Sequence, residues 1–237
     1  NAAGCELINP EVLNFKLDFA GKFTVSAERP LKIRIMSLGY NITFFLEHFS
    51  TTDQGKRNYS GDAHFELLNP ENSKQQELWK RNRLQTYKGS IVHFFRSVIS
   101  NTMDEQGFLA YKINSPEGVL HRVRKDRMKS SELHAPAPKK HEALITLPSY
   151  LLVVYTRESE SPAFEQQLKN SYVSRYAKDF PSQQVSIIHT KTMQLLSTVD
   201  GFIYFPTLIN RRGHWALQGI ADMLPMDYKP GLDELAE

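Results

Sequence analysis

The chain has 237 residues, of which 41% are hydrophobic and 23% are charged, a composition typical of a folded globular protein with a sizeable core. Its formal net charge of +3 is weaker than the basic excess of dedicated nucleic-acid-binding proteins, so it does not by itself argue for that class. The single cysteine, Cys5, excludes an internal disulfide, and no run of 18 apolar residues predicts a membrane-spanning helix.

The region 5–68 alternates apolar and polar side chains, which predicts β-strands joined by short turns. Strands are expected at 5–18, 23–27, 31–36, 40–50 and 57–67. The first strand carries four apolar side chains on one face: Leu13, Phe15, Leu17 and Phe19. Gly61 interrupts the last strand and predicts a β-bulge there. Together these strands predict an antiparallel meander or sandwich.

At residue 72 the hydrophobic period changes from two to about 3.6, which predicts a helical block over 72–106. Asn72 is a suitable N-cap because Gln75 follows three residues later, and Gly107 is a suitable C-terminal stop. A straight helix of this length would extend about 45 Å. We therefore expect one long helix that is kinked or broken at Gly89.

The region 108–230 is predicted to be β-rich again, with strands at 108–113, 145–156, 184–190 and 193–197. Residues 114–143 lack periodicity and are rich in proline, lysine and arginine, so they predict an irregular basic excursion with one short strand at 119–124. Residues 162–180 predict an exposed or poorly packed helix, and 217–224 predict a short helix that Pro225 ends.

These elements predict an α+β protein: a mostly antiparallel β framework with one long or kinked helical element, at about 72–106, packed on it. We expect a single compact unit over 1–237, composed of a β-rich part at 5–68, the helical block, and a second β-rich part at 108–230.

Five sequence blocks together resemble a family of Bacteroidetes envelope proteins, the carboxypeptidase-like regulatory domain-containing proteins. The blocks are NPEVLNF (9–15), SLGYNITFFLEHFS (37–50), WKRNRLQTYKGSIVHFFRSV (79–98), EQGF (105–108) and ADMLPMDYKP (221–230). The resemblance covers most of the chain, with 114–143 and 157–180 poorly matched. It implies an exported protein of the periplasm or outer membrane, whose role is not assigned.

The sandwich module that gives this family its name is expected to precede a region such as this one and is not in this chain. The resemblance implies no peptidase activity, and it offers no catalytic residue to carry over to this sequence. It therefore bears on the compartment rather than on the chemistry.

No catalytic, metal-binding or cofactor-binding motif is recognisable in the sequence. Zinc peptidases use ligand sets such as H-E-x-x-H, whereas His141-Glu142 has no second histidine at the required position. The sequence contains no G-x-S-x-G and no G-x-G-x-x-G loop. A Ser-His-Asp triad stays open as an alternative, because triad members are distant in sequence. We expect no catalytic residue, no metal and no cofactor.

The candidate binding residues are basic and aromatic side chains of the helical block, together with one tryptophan near the C-terminus: Trp79, Arg81, Arg83, Tyr87, Lys88 and Trp215. In one interpretation the cations lie over the apolar core and Trp215 closes it. In the other they recognise an acidic polypeptide, a glycan or lipopolysaccharide. If the helix is only structural, Arg83→Ala should change stability little.

The expected function is a non-enzymatic binding or assembly module of the cell envelope, with an envelope protein, glycan or lipopolysaccharide as partner. One alternative is an extracytoplasmic hydrolase whose site is not recognisable from sequence. A further alternative is a nucleic-acid binder that uses the basic helix face and the cluster at 121–129, although the mild net charge makes nucleic acid an unlikely partner.

Overall fold

The computed structural model of the protein describes residues 4–19, 21–51, 57–115, 127–168 and 173–231. Its contacts divide the chain into two compact units, whereas the sequence predicts one. Unit 1 comprises Asn1–Gln85 and Ile220–Tyr228, and unit 2 comprises Thr86–Gly219 and Lys229–Glu237. Antiparallel sheets dominate both units, which confirms the α+β class with a sheet-dominated framework.

Unit 1 is built on one antiparallel sheet of six strands. The strands are β1 (Cys5–Leu7), β2 (Leu13–Leu17), β3 (Phe23–Ala27), β4 (Leu31–Ile35), β5 (Tyr40–Thr51) and β6 (Arg57–Leu67). β6 pairs with β5 along the length of the strand. β4 and β3 pair with successive parts of β5, and β1 and β2 are the terminal strands of the order β1-β4-β5-β3-β2. The predicted strand at 5–18 is wrong in extent, because Pro10 starts a 3-10 helix that separates β1 from β2.

The core of unit 1 follows the predicted alternation. Leu31, Ile33 and Ile35 are all buried, with Lys32 exposed between the first two. A β-bulge lies opposite Gly61 as expected, but the extra residue is Glu47 on β5, since Leu46 pairs with Gly61 and His48 with Ser60. A side chain at position 61 would collide with the carbonyl of Phe45 and the ring of Phe44.

The helical block is two helices, so the expectation of one long helix is wrong. α1 is Ser73–Tyr87 and α2 is Ile91–Ile99. Gly89 takes a left-handed backbone (φ 72°), and the Ser90 hydroxyl accepts a hydrogen bond from the His93 N–H and caps α2. At the start of α1, the Asn72 side chain accepts the Gln75 N–H at 3.0 Å, as predicted. Beyond Ile99 the chain forms turns rather than helix.

Unit 2 contains two antiparallel sheets. Its strands are β7 (Phe108–Lys112), β8 (Arg127–Met128), β9 (His134–Pro136), β10 (Glu142–Thr146), β11 (Tyr150–Tyr155), β12 (Gln184–Thr190), β13 (Gln194–Thr198) and β14 (Ile209–Gly213). The larger sheet has the order β14-β12-β11-β7-β8, and the smaller has the order β13-β10-β9. The predicted strand at 145–156 is therefore two strands in different sheets, separated at Pro148.

The larger sheet of unit 2 is buried on both faces. Along β11, Leu151, Val153 and Tyr155 pack into the cluster that contains α2, whereas Leu152 and Val154 pack into the cluster on the opposite face. This explains the continuous apolar run of LLVVY, because a strand covered on both faces does not alternate.

Four short helices complete unit 2: α3 (Ser130–Leu133), α4 (Pro162–Leu168), α5 (Val173–Ala177) and α6 (His214–Leu217). The prediction of a poorly packed helix at 162–180 is wrong for α5, because Val173 and Tyr176 are buried in the second cluster.

The expected helix at 217–224 is absent from the described chain: α6 ends at Leu217, and a 3-10 helix at Ile220–Asp222 follows Gly219. Residues 127–136 carry β8, α3 and β9, so this part of the predicted excursion is ordered. The predicted strand at 119–124 lies outside the described residues.

Candidate binding surfaces

Three side chains of α1, those of Trp79, Asn82 and Arg83, are turned towards the backbone of unit 1. They donate hydrogen bonds to four successive carbonyls of the turn at 36–39, which joins β4 to β5. The bonds are Trp79 Nε1 to Met36 O at 2.7 Å, Asn82 Nδ2 to Ser37 O at 2.8 Å, Arg83 Nε to Leu38 O at 2.7 Å, and Arg83 Nη2 to Gly39 O at 3.3 Å. These donors satisfy carbonyls of the turn, of which the Gly39 carbonyl also accepts the Leu68 N–H at 3.0 Å.

Arg83 also packs on an aromatic ring within unit 1. Its guanidinium lies 4.2 Å from the centroid of the Tyr40 ring, a cation–π arrangement. Burial raises the pKa of the Tyr40 phenol, and the charge of Arg83 partly opposes this increase. Because Arg83 makes two backbone hydrogen bonds and this ring contact, the expectation that Arg83→Ala would change stability little is not supported by its surroundings.

The other predicted residues of the helical block differ in exposure. Arg81 is exposed and lines a shallow groove on the outer side of α1 with Glu77 and Leu78. Lys88 is half-buried. Tyr87 is buried, and its ring lies 4.7 Å from that of His93. A binding role for these residues stays a prediction, with Arg81 and Lys88 the accessible cations among them.

Trp215 closes the core of unit 2. Only 2% of it is exposed, its indole nitrogen donates to the Gly89 carbonyl at 2.7 Å, and its ring lies 5.6 Å from that of Phe94. Its backbone N–H donates to the hydroxyl of Ser186 at 3.2 Å. The indole therefore holds the break between the two helices at Gly89 against the core, as the structural interpretation of Trp215 requires.

His93 is a buried neutral histidine rather than a free base or ligand. Burial lowers its pKa to about 4. Its Nδ1 accepts a hydrogen bond from the Gly89 N–H at 3.2 Å, so its Nε2 carries the proton and donates to Gln106 Oε1 at 3.1 Å. Both ring nitrogens are thus used inside unit 2, between the rings of Tyr87 and Phe108.

His214 and Glu160 form a second buried pair in unit 2. Both carboxylate oxygens of Glu160 lie 3.0 Å from His214 Nδ1, and both side chains are buried. A carboxylate that orients a histidine in this way occurs in hydrolytic triads. In the described part of the chain, however, the other ring nitrogen meets the Gln218 amide at 3.4 Å instead of a serine or cysteine. The pair can fix the start of α6, but it lacks a nucleophile among these residues.

Within 4–19, 21–51, 57–115, 127–168 and 173–231, no group of three His, Cys, Asp or Glu side chains could hold a metal ion. No described helix combines the length and apolar character needed to cross a membrane. The basic cluster at 121–129, on which the nucleic-acid alternative depends, lies largely outside the described residues.

The β2–β3 hairpin of unit 1 exposes several large apolar side chains. Phe15 is 60% exposed, Leu17 is 71% exposed, and Phe19 beyond the strand is fully exposed. The Phe15 ring stacks on that of Phe23 at a centroid distance of 5.8 Å. The sequence correctly groups Phe15 and Leu17 on one face, because alternation determines the face. The sequence does not show that the part of this face around Phe15 and Leu17 lies outside the core of unit 1.

No family model, curated protein or solved structure matches this chain.

Proposed function

We propose that the protein is a non-enzymatic binding or assembly module of the bacterial cell envelope that acts through the exposed apolar face of the β2–β3 hairpin. The observation that carries this proposal is the exposure of Phe15 and Leu17 on neighbouring positions of one strand face. Contiguous exposed apolar side chains on a folded domain mark interaction sites, whereas single ones do not. The envelope location rests on the resemblance of the five sequence blocks.

The hairpin suits a polypeptide partner better than a glycan or lipopolysaccharide. β2 pairs only with β3 among the described strands, so its outer edge presents backbone hydrogen-bonding groups next to Phe15 and Leu17. An extended polypeptide matches such an edge with its own backbone and places alternate side chains against the apolar face. Sugars and lipid phosphates would instead require convergent polar or cationic groups, which this face lacks.

The surroundings of the buried histidines favour binding over hydrolysis. His93 uses both ring nitrogens in hydrogen bonds inside unit 2, and His214 faces Glu160 and Gln218. A general base must reach a proton of the substrate, and these two rings are engaged with protein groups.

The test replaces the exposed hairpin residues and follows the partner directly. A photo-reactive group at position 15 should cross-link to a polypeptide when the protein is incubated with native envelope extract. The double variant Phe15→Ser with Leu17→Ser should lose the same partner in affinity capture. Phe45→Ser is the matched control, because Phe45 is 50% exposed on the same sheet but outside the hairpin.

Unchanged circular dichroism would show that the variants fold. Capture that survives the hairpin variant but is lost in Arg81→Ala with Lys88→Ala would overturn the proposal and assign binding to the helix face. Cross-links to a glycan or lipid alone would overturn the choice of partner.

A further inference from the structure

At the edge of β2 that no described strand covers, the backbone groups that point outwards are those of its apolar residues. The Glu28 N–H donates to the Val12 carbonyl and the Asp18 N–H donates to the Lys22 carbonyl, both at 3.1 Å. The residues of β2 at even positions therefore form their backbone hydrogen bonds with β3. In an antiparallel ladder the residues between them direct their N–H and C=O groups away from the partner strand. The outward groups are the N–H and C=O of Phe15 and Leu17 together with the C=O of Leu13, whose N–H is bonded to Pro10.

This pattern is complementary to itself. When two β2 strands run antiparallel with Phe15 opposite Phe15 of a second copy, Leu17 of each lies opposite Leu13 of the other. Two hydrogen bonds then join the two Phe15 residues, and each Leu17 N–H meets the Leu13 carbonyl of the other copy. A two-fold axis through this centre makes both halves of the contact identical, as a closed symmetric dimer requires.

The side chains agree with the same register. On the apolar face, phenylalanine meets phenylalanine and leucine meets leucine. On the other face, Lys16 lies opposite Asn14 of the second copy rather than opposite another lysine. The Asn14 amide donates to the Glu28 carboxylate at 3.0 Å, so that carboxylate lies beside the position that Lys16 of the second copy would reach. Each half of the contact thus brings one cation towards one anion.

β6 forms the opposite edge of the sheet, and its side chains protect that edge from pairing with another chain. β6 pairs only with β5 among the described strands, and its exposed alternate residues are Asp62, His64 and Glu66. Charged side chains at an edge discourage pairing with another chain. β2 has a single charged residue, Lys16, and the self-paired register gives it an acidic neighbour.

We infer that two copies of this chain associate through their β2 edges, in antiparallel pairing centred on Phe15, to form one continuous sheet. The inference rests on the proposed function, since it names a second copy as the polypeptide that the hairpin binds. Pairing places Phe15 and Leu17 of each copy beside Phe15 and Leu13 of the other. It also satisfies the outward backbone groups of both strands except the Leu17 carbonyl, because the Leu13 N–H opposite it is bonded to Pro10.

A charge exchange tests the register without altering any buried residue. Analytical ultracentrifugation should find a dimer for the wild-type chain. Lys16→Glu and Glu28→Lys should each raise the dissociation constant about tenfold, because each places like charges together. The double variant Lys16→Glu with Glu28→Lys should restore dimerisation. A wild-type chain that is monomeric up to about millimolar concentration, the weak end of specific association, would overturn the inference, and so would a double variant as weak as either single one.

A disulfide across the two-fold axis provides an independent measurement. In a Cys5→Ser background, Phe15→Cys should form an intermolecular disulfide, because directly opposed Cα atoms lie about 5.5 Å apart, within the range that a disulfide spans. Ser26→Cys on β3 is the control, since its strand is one removed from the edge and the two copies of Ser26 would be about 16 Å apart. Equal cross-linking by both variants would overturn the register.

The two proposals can fail separately. A monomeric chain whose position 15 still cross-links to a different envelope polypeptide would overturn self-association and keep the binding function. A dimer that forms as described, with no other envelope partner at position 15, would support self-association as the assembly role. A monomeric chain without any polypeptide cross-link would overturn both.

Discussion

The indole of Trp79 lies directly against the α-carbon of Gly39, so closely that a β-carbon at position 39 would come within 2.9 Å of three indole carbons. The same indole donates its N–H to the carbonyl of Met36 at the other end of this turn. Only glycine at position 39 allows both contacts, and its left-handed backbone (φ 69°) favours glycine again. The packing of α1 on unit 1 therefore depends on a residue without a side chain.

Gly39→Ala should destabilise unit 1 by about 2–5 kcal/mol, from left-handed backbone strain together with overpacking against the indole. Gly21→Ala separates these two causes. Gly21 has a similar backbone (φ 77°), yet nothing lies within 4 Å of the position its β-carbon would take, so strain alone should cost about 1–2 kcal/mol. Urea unfolding followed by circular dichroism measures both, and equal losses would contradict the role of the indole contact.

Arg83→Ala should reduce the free energy of unfolding of unit 1 by about 1.5–3 kcal/mol, because the Leu38 and Gly39 carbonyls lose a charged donor. Arg83→Lys should recover only part of the loss, since an ammonium cannot reproduce the two-pronged geometry. Arg81→Ala is the matched control on the same helix and should stay within about 0.5 kcal/mol of wild type, because Arg81 is exposed. If Arg83→Ala lowers the free energy of unfolding as little as Arg81→Ala does, the contacts of Arg83 do not stabilise unit 1.

The buried His93 predicts a pH-dependent stability in unit 2. Its folded-state pKa of about 4 lies below the ordinary value of 6.5, so the unfolded chain binds more protons between these two values. The contribution of His93 to the free energy of unfolding is fully present above pH 6.5. Below that pH it falls by about 1.4 kcal/mol per pH unit, until the histidine of the folded protein protonates near pH 4. The total is about 3 kcal/mol.

His93→Gln should remove this component, so calorimetric stability curves of the variant and the wild type should converge as the pH falls from 6.5 to 4. His48→Gln is the control, because it makes the same substitution at an exposed position of unit 1. Parallel curves for wild type and His93→Gln would show that His93 is not buried in its neutral form.

The cost in stability of replacing Glu160 should depend on whether the new side chain can still accept a hydrogen bond from His214. Glu160→Ala leaves His214 Nδ1 and the Ser161 N–H without their acceptor and should cost about 1–3 kcal/mol in unit 2. Glu160→Gln keeps one acceptor oxygen and should cost less. Glu165→Ala changes an exposed glutamate on α4 and should have almost no effect. Thermal unfolding compares the three, and an alanine variant as stable as the glutamine variant would contradict the pair's structural role.

Local features of this fold were predictable from short stretches of sequence. Asn72 and Gln75 mark the start of α1 because capping is set by residues three apart, and Gly89 marks the break because only a left-handed residue suits it. The apolar run at 151–155 likewise identifies a buried strand, since it offers no polar face to water.

The functions of individual side chains could not be predicted in the same way. Trp79 and Arg83 are four residues apart and share a helix face, but the carbonyls that they bind are more than 40 residues earlier in the chain. The exposure of Phe15 and Leu17 depends on how far the core extends beneath β2, which alternation does not encode. Sequence spacing thus identifies which residues share a face, whereas the surroundings of that face come from tertiary packing.

Each unit contains one of the chain's two tryptophans, Trp79 in unit 1 and Trp215 in unit 2, and both indoles are buried and hydrogen-bonded to a backbone carbonyl. The tryptophan fluorescence of the protein is therefore a sum of two local reporters. Replacing one indole with phenylalanine leaves tryptophan emission from the other unit alone. Denaturation of the two halves of the chain can then be followed separately within the intact molecule, without any attached dye.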